Sequence, residues 1–381
     1  MSVGLTSLTC MDAETTDPRT AHLTLARDDA HAIIPAYLLA RLAASDHPGF
    51  TRASEAARAT LATPRTYRPV RASIDLTVDG DALVVEASPD PDRLVSDAQT
   101  RETLPGVPVR REGDGPAGDI AADQAYDGLG ETFAFLWDAV ERVSLDGAGG
   151  ALLATVHYGE NYDNAFWNGE RMVFGDGDGE VFTGFTGSLT VIAHELGHGV
   201  IESARGLVYA GQSGALNESI ADVFGVLTEQ HARQQTVDEA SWLIGAGIFT
   251  DAVQGEALRS MSAPGTAYDD DVLGRDPQPA HMRDFVDTTA DNGGVHINSG
   301  IPNKAFHLAA TALGGYAWER AGRIWYLTLT GGTVAPTADF AAFARATLET
   351  ARREYGEDSE EHTAVRAAWV GVGVIDDVAA R

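Results

Sequence analysis

The run His194-Glu195-Leu196-Gly197-His198 constrains this chain more than any other stretch, because it sets two imidazoles one helical turn apart with a carboxylate beside them. Residues four apart on a helix share a face, so both rings can reach one divalent cation while Glu195 stays available for proton transfer. The stretch Ser188 to Ala193 is apolar enough to bury such a helix, which fixes the rings and limits water around them. Two histidines do not complete a reactive zinc site, which keeps three protein ligands and one position for water. A third histidine further along the same run is excluded, since Ile201 and Ala204 stand at the positions that this extension requires. The segment Gly214-Ala215-Leu216-Asn217-Glu218-Ser219-Ile220-Ala221-Asp222 supplies a glutamate from a second helix instead. Glu218 is therefore the expected third ligand. Asp222, four residues on, is expected to accept the free ring N–H of a zinc histidine, with Asn217 in the same supporting layer.

Other motifs follow in order. They are Asn164-Ala165-Phe166-Trp167-Asn168-Gly169, Gly175-Asp176-Gly177-Asp178-Gly179, Tyr209, Leu258-Arg259-Ser260-Met261-Ser262 and Asp291-Asn292-Gly293-Gly294-Val295-His296-Ile297-Asn298. Together with the zinc helices they resemble the thermolysin family of zinc metallopeptidases, the gluzincins, over roughly residues 95 to 376. The resemblance implies an α+β, two-lobed zincin fold, with a β-rich N-terminal lobe, a mainly helical C-terminal lobe and the zinc site between them. It also implies a neutral endopeptidase that uses one catalytic Zn2+ and acts on protein or peptide substrates. The alternative from another class is a silent zincin relic that binds zinc or a partner without turnover, but such a relic has no chemical need for Glu195, Tyr209 and His296.

In that family's chemistry a zinc-bound water is the nucleophile and one carboxylate, here Glu195, serves as base and then acid. By resemblance, Tyr209 and His296 donate to the oxyanion, and Asp291 holds the His296 ring and favours its charged form. Asn164 and Ala165 sit where the family presents a strand edge to an extended peptide. Arg259 would bind the carbonyl of the residue just after the scissile bond. The pocket for that residue's side chain would be lined by Phe182, Phe185, Val191, Ile244, Ile248 and Leu258. All six are apolar, which favours cleavage on the amino side of a bulky hydrophobic residue, since burying one such side chain is worth about 1.5–3 kcal/mol. The two phenylalanines predict a shallower pocket than in thermolysin-like enzymes.

The chain departs from the family where thermostable members bind calcium. Glu229 survives, but Thr190, Leu243, Ala246 and Gly247 occupy the other matching positions and supply no charged oxygen. The double calcium site is therefore expected to be absent, a Ca2+ position near Thr250 and Glu256 stays open, and Gly175 to Gly179 reads as a tight turn. The 56 acidic residues against 27 basic ones give a net charge of -29, which disfavours nucleic acid and anionic membranes as partners. The single cysteine, Cys10, excludes an internal disulfide, and no apolar run is long enough for a membrane span. A monomer is expected.

The N-terminal region carries the second signal. Residues 1–30 lack a basic start followed by an apolar stretch, so no secretory signal peptide is apparent, leaving non-classical secretion or the cytoplasm. The segment His31-Ala32-Ile33-Ile34-Pro35-Ala36-Tyr37-Leu38-Leu39 resembles the short propeptide of the protealysin-like subgroup, with Ile34, Pro35, Tyr37 and Leu38 in the inhibitory motif and Ala36 in place of a second proline. The competing reading is an amphipathic packing helix with Ile34, Leu38 and Leu42 as its stripe. The expected organisation is an extension with its own inhibitory propeptide over 1–72, with a boundary that extends to about 90, then a β-rich lobe with the zinc helix over 73–204 and a helical lobe over 205–381. A hairpin is expected between Ile74 and Val85, and processing in the exposed Pro/Arg stretch at 64–71.

Overall fold

The computed structural model describes residues 31–65, 76–79, 82–85, 90–204 and 206–377. Cys10, the polar opening and most of the processing stretch lie outside them. Residues 31–35, with His31 at a φ of 70° and Ala32 in a single β-bridge, lead into α1 (Ala36–Ala43), against which α2 (Thr51–Ala62) packs. Pro35 marks the change, since its ring holds φ at -62° and biases the preceding Ile34 to extended backbone. The segment is therefore divided at Pro35. Leu38 and Leu42 form the buried stripe of a helix together with Leu39, whereas Ile34 lies before it.

β1 (Leu76–Asp79) and β2 (Ala82–Val85) form the expected hairpin, with Asp79 opposite Ala82. The first lobe is built on a five-stranded sheet of β3 (Arg93–Asp97), β4 (Val107–Arg111), β5 (Leu152–Val156), β6 (Ala165–Trp167) and β7 (Met172–Phe174), in the order β4-β3-β5-β7-β6. The central pairs β3/β5 and β5/β7 are parallel, and the outer pairs β4/β3 and β6/β7 are antiparallel. β6 is thus an edge, with one row of backbone groups left for a further strand. α3 (Ile120–Val140) lies on this sheet. Asp119 caps it by accepting from the Ala122 N–H at 2.8 Å, and Leu129, Phe133 and Leu136 are its buried face, with Val140 packed beside them.

α4 (Leu189–Ser203) leaves this lobe, and α5 (Gly211–Arg233) crosses it. The two helices approach closely because of Gly197, where an added Cβ would sit 3.2 Å from the Ala221 Cα and from Phe224. A larger residue there would wedge the helices apart at a cost of about 1–3 kcal/mol. Beyond α5 come α6 (Asp291–Asn298), α7 (Gly300–Leu313), α8 (Arg323–Thr330), α9 (Phe340–Tyr355) and α10 (Glu360–Gly371). Trp318–Gly322 is wound as a wider π turn that runs directly into α8.

The second lobe also holds two short antiparallel ladders, Leu243–Ile244 with Arg259–Ser260 and Asp269–Asp270 with Gly274–Arg275. Pairs of two residues carry no legible alternation, so no sequence pattern announces them. Among the described residues, no helix is long and apolar enough to cross a membrane.

Candidate metal centre and cleft

α4 and α5 bring His194, His198 and Glu218 together, fully buried, with one ligand atom from each lying within 4.8 Å of the others. The two Nε2 atoms face each other at 3.2 Å, and the Glu218 carboxylate lies 3.5 Å from His194 Nε2 and 3.6 Å from His198 Nε2. The outer nitrogens set the tautomers. Asn217 Nδ2 donates to the Leu207 carbonyl, so its Oδ1, 2.8 Å from His198 Nδ1, accepts the proton carried there. His194 Nδ1 lies 2.7 Å from Asp222 Oδ1. The Nε2 atoms thus face each other and the Glu218 carboxylate. Burial, reinforced by His31 and His194, pushes the His198 pKa well below the ordinary histidine value and keeps it neutral. Glu218 Oε2 is buried without a donor from the protein. Three ligand atoms converge in a buried space where Glu218 Oε2 has no donor, and a cation would satisfy all of them. Two imidazoles and one carboxylate are a donor set that suits zinc.

Asp222 is the hub behind the ligands. Its oxygens accept from Arg259 Nε at 3.0 Å, Arg259 Nη2 at 2.8 Å and Asn303 Nδ2 at 2.8 Å. Burial alone would raise its pKa, but Arg259 and then His194 outweigh it and hold the carboxyl well below the usual range. Asn303, on α7, has no motif around it and escaped the sequence reading. Glu195 lies on the other side, with Oε2 accepting the Trp167 N–H at 2.9 Å. Burial, then the charge of Glu218, lifts the Glu195 pKa well above an ordinary carboxyl.

Tyr209 hydrogen-bonds Glu218, and its hydroxyl is 3.3 Å from His296 Nε2. Asp291 accepts from both the backbone N–H of His296 at 2.8 Å and its Nδ1 at 2.6 Å. That double grip comes from a left-handed turn, with φ positive from Asp291 to Gly294, which folds the acid back over the ring. Gly294 is required twice over, by its φ of 76° and by the 2.7 Å that would separate an added Cβ from Asn298 Nδ2. Burial alone would lower the His296 pKa, but Glu218 and Asp291 together raise it to about 9.

The cleft edge is β6. Ala165 and Asn164 make backbone-directed contacts with the N-terminal segment, and Arg259 Nη1 reaches its chain at 3.4 Å. Phe182, Phe185, Val191, Ile244, Ile248 and Leu258 are all buried and share one apolar cluster with Ile33, Ile34 and Leu38. Tyr37 hydrogen-bonds Tyr268, and burial leads the causes that raise its pKa. At the family's calcium position, Glu229 is paired with Arg233 at 3.1 Å, and Thr190 accepts the Gly245 N–H at 2.9 Å. Thr250 donates to the Glu180 carbonyl at 2.6 Å. Asp178 accepts the N–H groups of Glu180 and Val181, at 2.5 and 2.6 Å, which is the bonding of a tight turn. Among the described residues, His194, His198 and Glu218 form the one cluster of three such side chains that could hold a metal.

A buried His2Glu cluster on two crossed helices, between a sheet lobe with a free edge and a helical lobe, defines the class of zinc metallopeptidases. Comparison with known proteins gives the family. The description "Thermolysin metallopeptidase, catalytic domain" matches residues 99–202, and "Thermolysin metallopeptidase, alpha-helical domain" matches residues 205–374. An extracellular metalloprotease of Pectobacterium carotovorum subsp. carotovorum is 54% identical over 282 residues, covering 74% of this chain and 81% of the relative. Protease PrtS of a Photorhabdus species is 52% identical over 284 residues, covering 74% and 76%. The solved precursor of protealysin from Serratia proteamaculans superposes with a TM-score of 0.82 at 48% identity, covering 91% of this chain and all of that one. The chain belongs to the thermolysin family of metallopeptidases, and it is a zinc metalloendopeptidase.

Proposed function

We propose that the chain is a self-inhibited precursor of a neutral endopeptidase, which cuts on the amino side of bulky hydrophobic residues with Glu195 moving the proton. The observation that carries this reading is Glu195 itself, buried beside the cluster, anchored by the Trp167 N–H and raised in pKa by its surroundings. Zinc, when held by His194, His198 and Glu218, polarises a peptide carbonyl and lowers the pKa of its water toward ~7. A carboxylate with elevated proton affinity takes a proton from water readily and returns it to the departing amine.

Tyr209 and His296 are the donors for the carbonyl oxygen as it gains charge, and losing one such donor typically costs about 3 kcal/mol of barrier. Asp291 serves by keeping His296 protonated. Arg259, fixed on Asp222, grips the carbonyl that follows the scissile bond, and Asn164 and Ala165 hold the main chain beside it. The six apolar pocket residues then select the side chain. Asp222 and Asn217 orient the two rings.

The lobes run over 73–204 and 205–381, with residues up to about 72 acting as the inhibitory extension, and Ile34, Pro35, Tyr37 and Leu38 at its working end. The test is turnover of casein and of a furylacryloyl peptide after maturation, with and without a zinc chelator and beside Glu195→Ala. Activity should vanish with chelator and fall about 10²–10⁴-fold in the variant. Activity indifferent to the chelator would sink the reading.

A further inference from the structure

One carboxylate serves both the metal side and the substrate side of the cleft. Asp222 Oδ1 lies 2.7 Å from His194 Nδ1 and accepts from Arg259 Nη2 at 2.8 Å, while Oδ2 accepts from Arg259 Nε at 3.0 Å. With Nε and Nη2 committed to Asp222, Arg259 has Nη1 left for a peptide, and Nη1 meets the Ile33 carbonyl at 3.4 Å. The tilt of the Asp222 carboxylate therefore sets two things at once, the orientation of a metal-facing imidazole and the direction of the guanidinium.

The fork of Arg259 does not fix that tilt by itself, because a guanidinium and a carboxylate joined by two parallel bonds can rock as one rigid pair. A third donor stops the rocking. Asn303 Nδ2, from α7, donates to Asp222 Oδ2 at 2.8 Å, and both side chains are fully buried. The amide sits this way round because an ionised carboxylate only accepts, so the amide oxygen in the same place would be repelled.

The turn that carries Asn303 is itself clamped. The Asn303 N–H donates to the Ser299 carbonyl at 3.0 Å, and Gln278 Nε2 donates to the His296 carbonyl at 2.7 Å and to Ser299 Oγ at 3.0 Å. An added Cβ on Gly300 would sit 2.7 Å from the Pro279 carbonyl oxygen, so α7 starts flush against that chain. Asn303 also carries a penalty, since its Oδ1 is buried without a donor among the described residues. A small apolar side chain would avoid that penalty, so packing alone gives no reason for an amide here. The bond to Asp222 does.

We propose that Asn303 is a positioning residue, which fixes the Asp222 carboxylate and through it both the His194 ring on the metal side and the Arg259 guanidinium on the substrate side. For the role of Arg259 the inference rests on the peptidase reading above. Asn303 acts only through Asp222. Loss of its amide should loosen metal and substrate together while leaving proton transfer at Glu195 in place.

Zinc affinity of the full-length chain is measured by titration against a zinc indicator, and kcat and KM for a furylacryloyl peptide are measured at saturating zinc after maturation. Asn303→Ala should weaken zinc about tenfold, the lower end of what losing an outer partner of a metal histidine costs. KM should rise about fivefold with kcat changed less than about twofold, the pattern of lost substrate binding. Asn303→Thr, close in volume and able to donate through its hydroxyl, should lie between Asn303→Ala and the wild type in both. Phe306→Leu is the control for a merely structural role, since Phe306 is buried on the same helix but packs on Trp242 and Trp325. It should lower the unfolding midpoint and leave zinc affinity and KM as they were. Wild-type zinc affinity and KM in Asn303→Ala, or equal losses in the Phe306 variant, overturn the inference and leave the peptidase reading standing. A matured wild type that binds zinc but cleaves no peptide removes the peptidase reading, and the zinc titration then decides the link from Asn303 to His194 alone.

Discussion

Two buried aspartates, Asp222 behind the metal cluster and Asp163 beneath the cleft edge, have equal access to water, namely none, and opposite ionisation. Asp222 faces Arg259, His194 and Asn303, and stays charged. Asp163 faces another acid, Asp178. Burial first, then the charge of Asp178, lifts its pKa to about 10, so at neutral pH it holds a proton. Burial only raises the cost of charge, and the partner decides whether that cost is met. The cleft keeps a charged acid where an imidazole must be oriented. The wall beside it keeps a protonated one, where the Asn164 segment meets the turn that precedes Phe182.

Removing the charge from the hub is the largest test of this contrast. Asp222→Asn leaves Arg259 buried without its counter-ion and gives His194 a partner with no charge. Zinc affinity should fall about 10–100-fold, as for other outer-layer ligands of metal histidines. Stability should fall by about 3–5 kcal/mol, because the guanidinium is left uncompensated. Titration with a zinc indicator and urea denaturation measure the two effects. If the variant matches the wild type in both, Asp222 is not the hub.

The reverse holds for the protonated pair. Asp163→Asn keeps the shape and puts an amide donor where the carboxylic acid was. An acid whose folded pKa lies above its unfolded value binds more protons folded than unfolded. Its stabilising contribution is greatest at low pH, and stability falls as pH rises from about 4 to about 10. Asn removes that slope. The variant should be more stable than the wild type at neutral pH, on the order of 1–3 kcal/mol, and the two should converge near pH 4. Unfolding midpoints across this range decide it, and a destabilised variant would mean that Asp163 is not held protonated by its surroundings.

The cleft acids were legible in the sequence because their spacing is helical. His194 and His198, then Glu218 and Asp222, repeat at four residues, and four residues on a helix have a fixed geometry. His296 and Asp291 were legible only through resemblance, since their contact depends on a left-handed turn that no simple period describes. Asn303 and the Asp163–Asp178 pair were not legible at all. Their partners lie 81 and 15 residues away in sequence, and only tertiary packing brings them together. Gly197 belongs with them, because a glycine inside a helix reads as a weak position until the crossing helix is seen. The N-terminal segment was half legible. Its apolar stripe predicted a helix, but that Ile34 leaves the helix and pairs with the sheet edge follows from Pro35 and from an edge strand 130 residues away.

A third acidic arrangement gives the smallest effect and the opposite sign of pH dependence. His157 stands between two carboxylates, with Nδ1 2.9 Å from Asp176 and Nε2 3.1 Å from Asp119, and so ties the turn before Phe182 to the cap of α3. Partial burial by itself would lower its pKa, but Asp176 and then Asp119 outweigh this and raise it. A histidine raised on folding contributes stability that is complete below its unfolded pKa, about 6.5, and is lost as pH climbs through the folded value. Both carboxylates are partly exposed, so the contribution is screened and amounts to roughly 0.2–1 kcal/mol. His157→Gln should therefore be slightly less stable than the wild type at about pH 5.5 and nearly equal to it at about pH 9. Against Asp163→Asn, whose advantage grows with rising pH, the two variants should diverge from the wild type at opposite ends of the scale. Parallel curves would mean that neither acid site is governed by its partner.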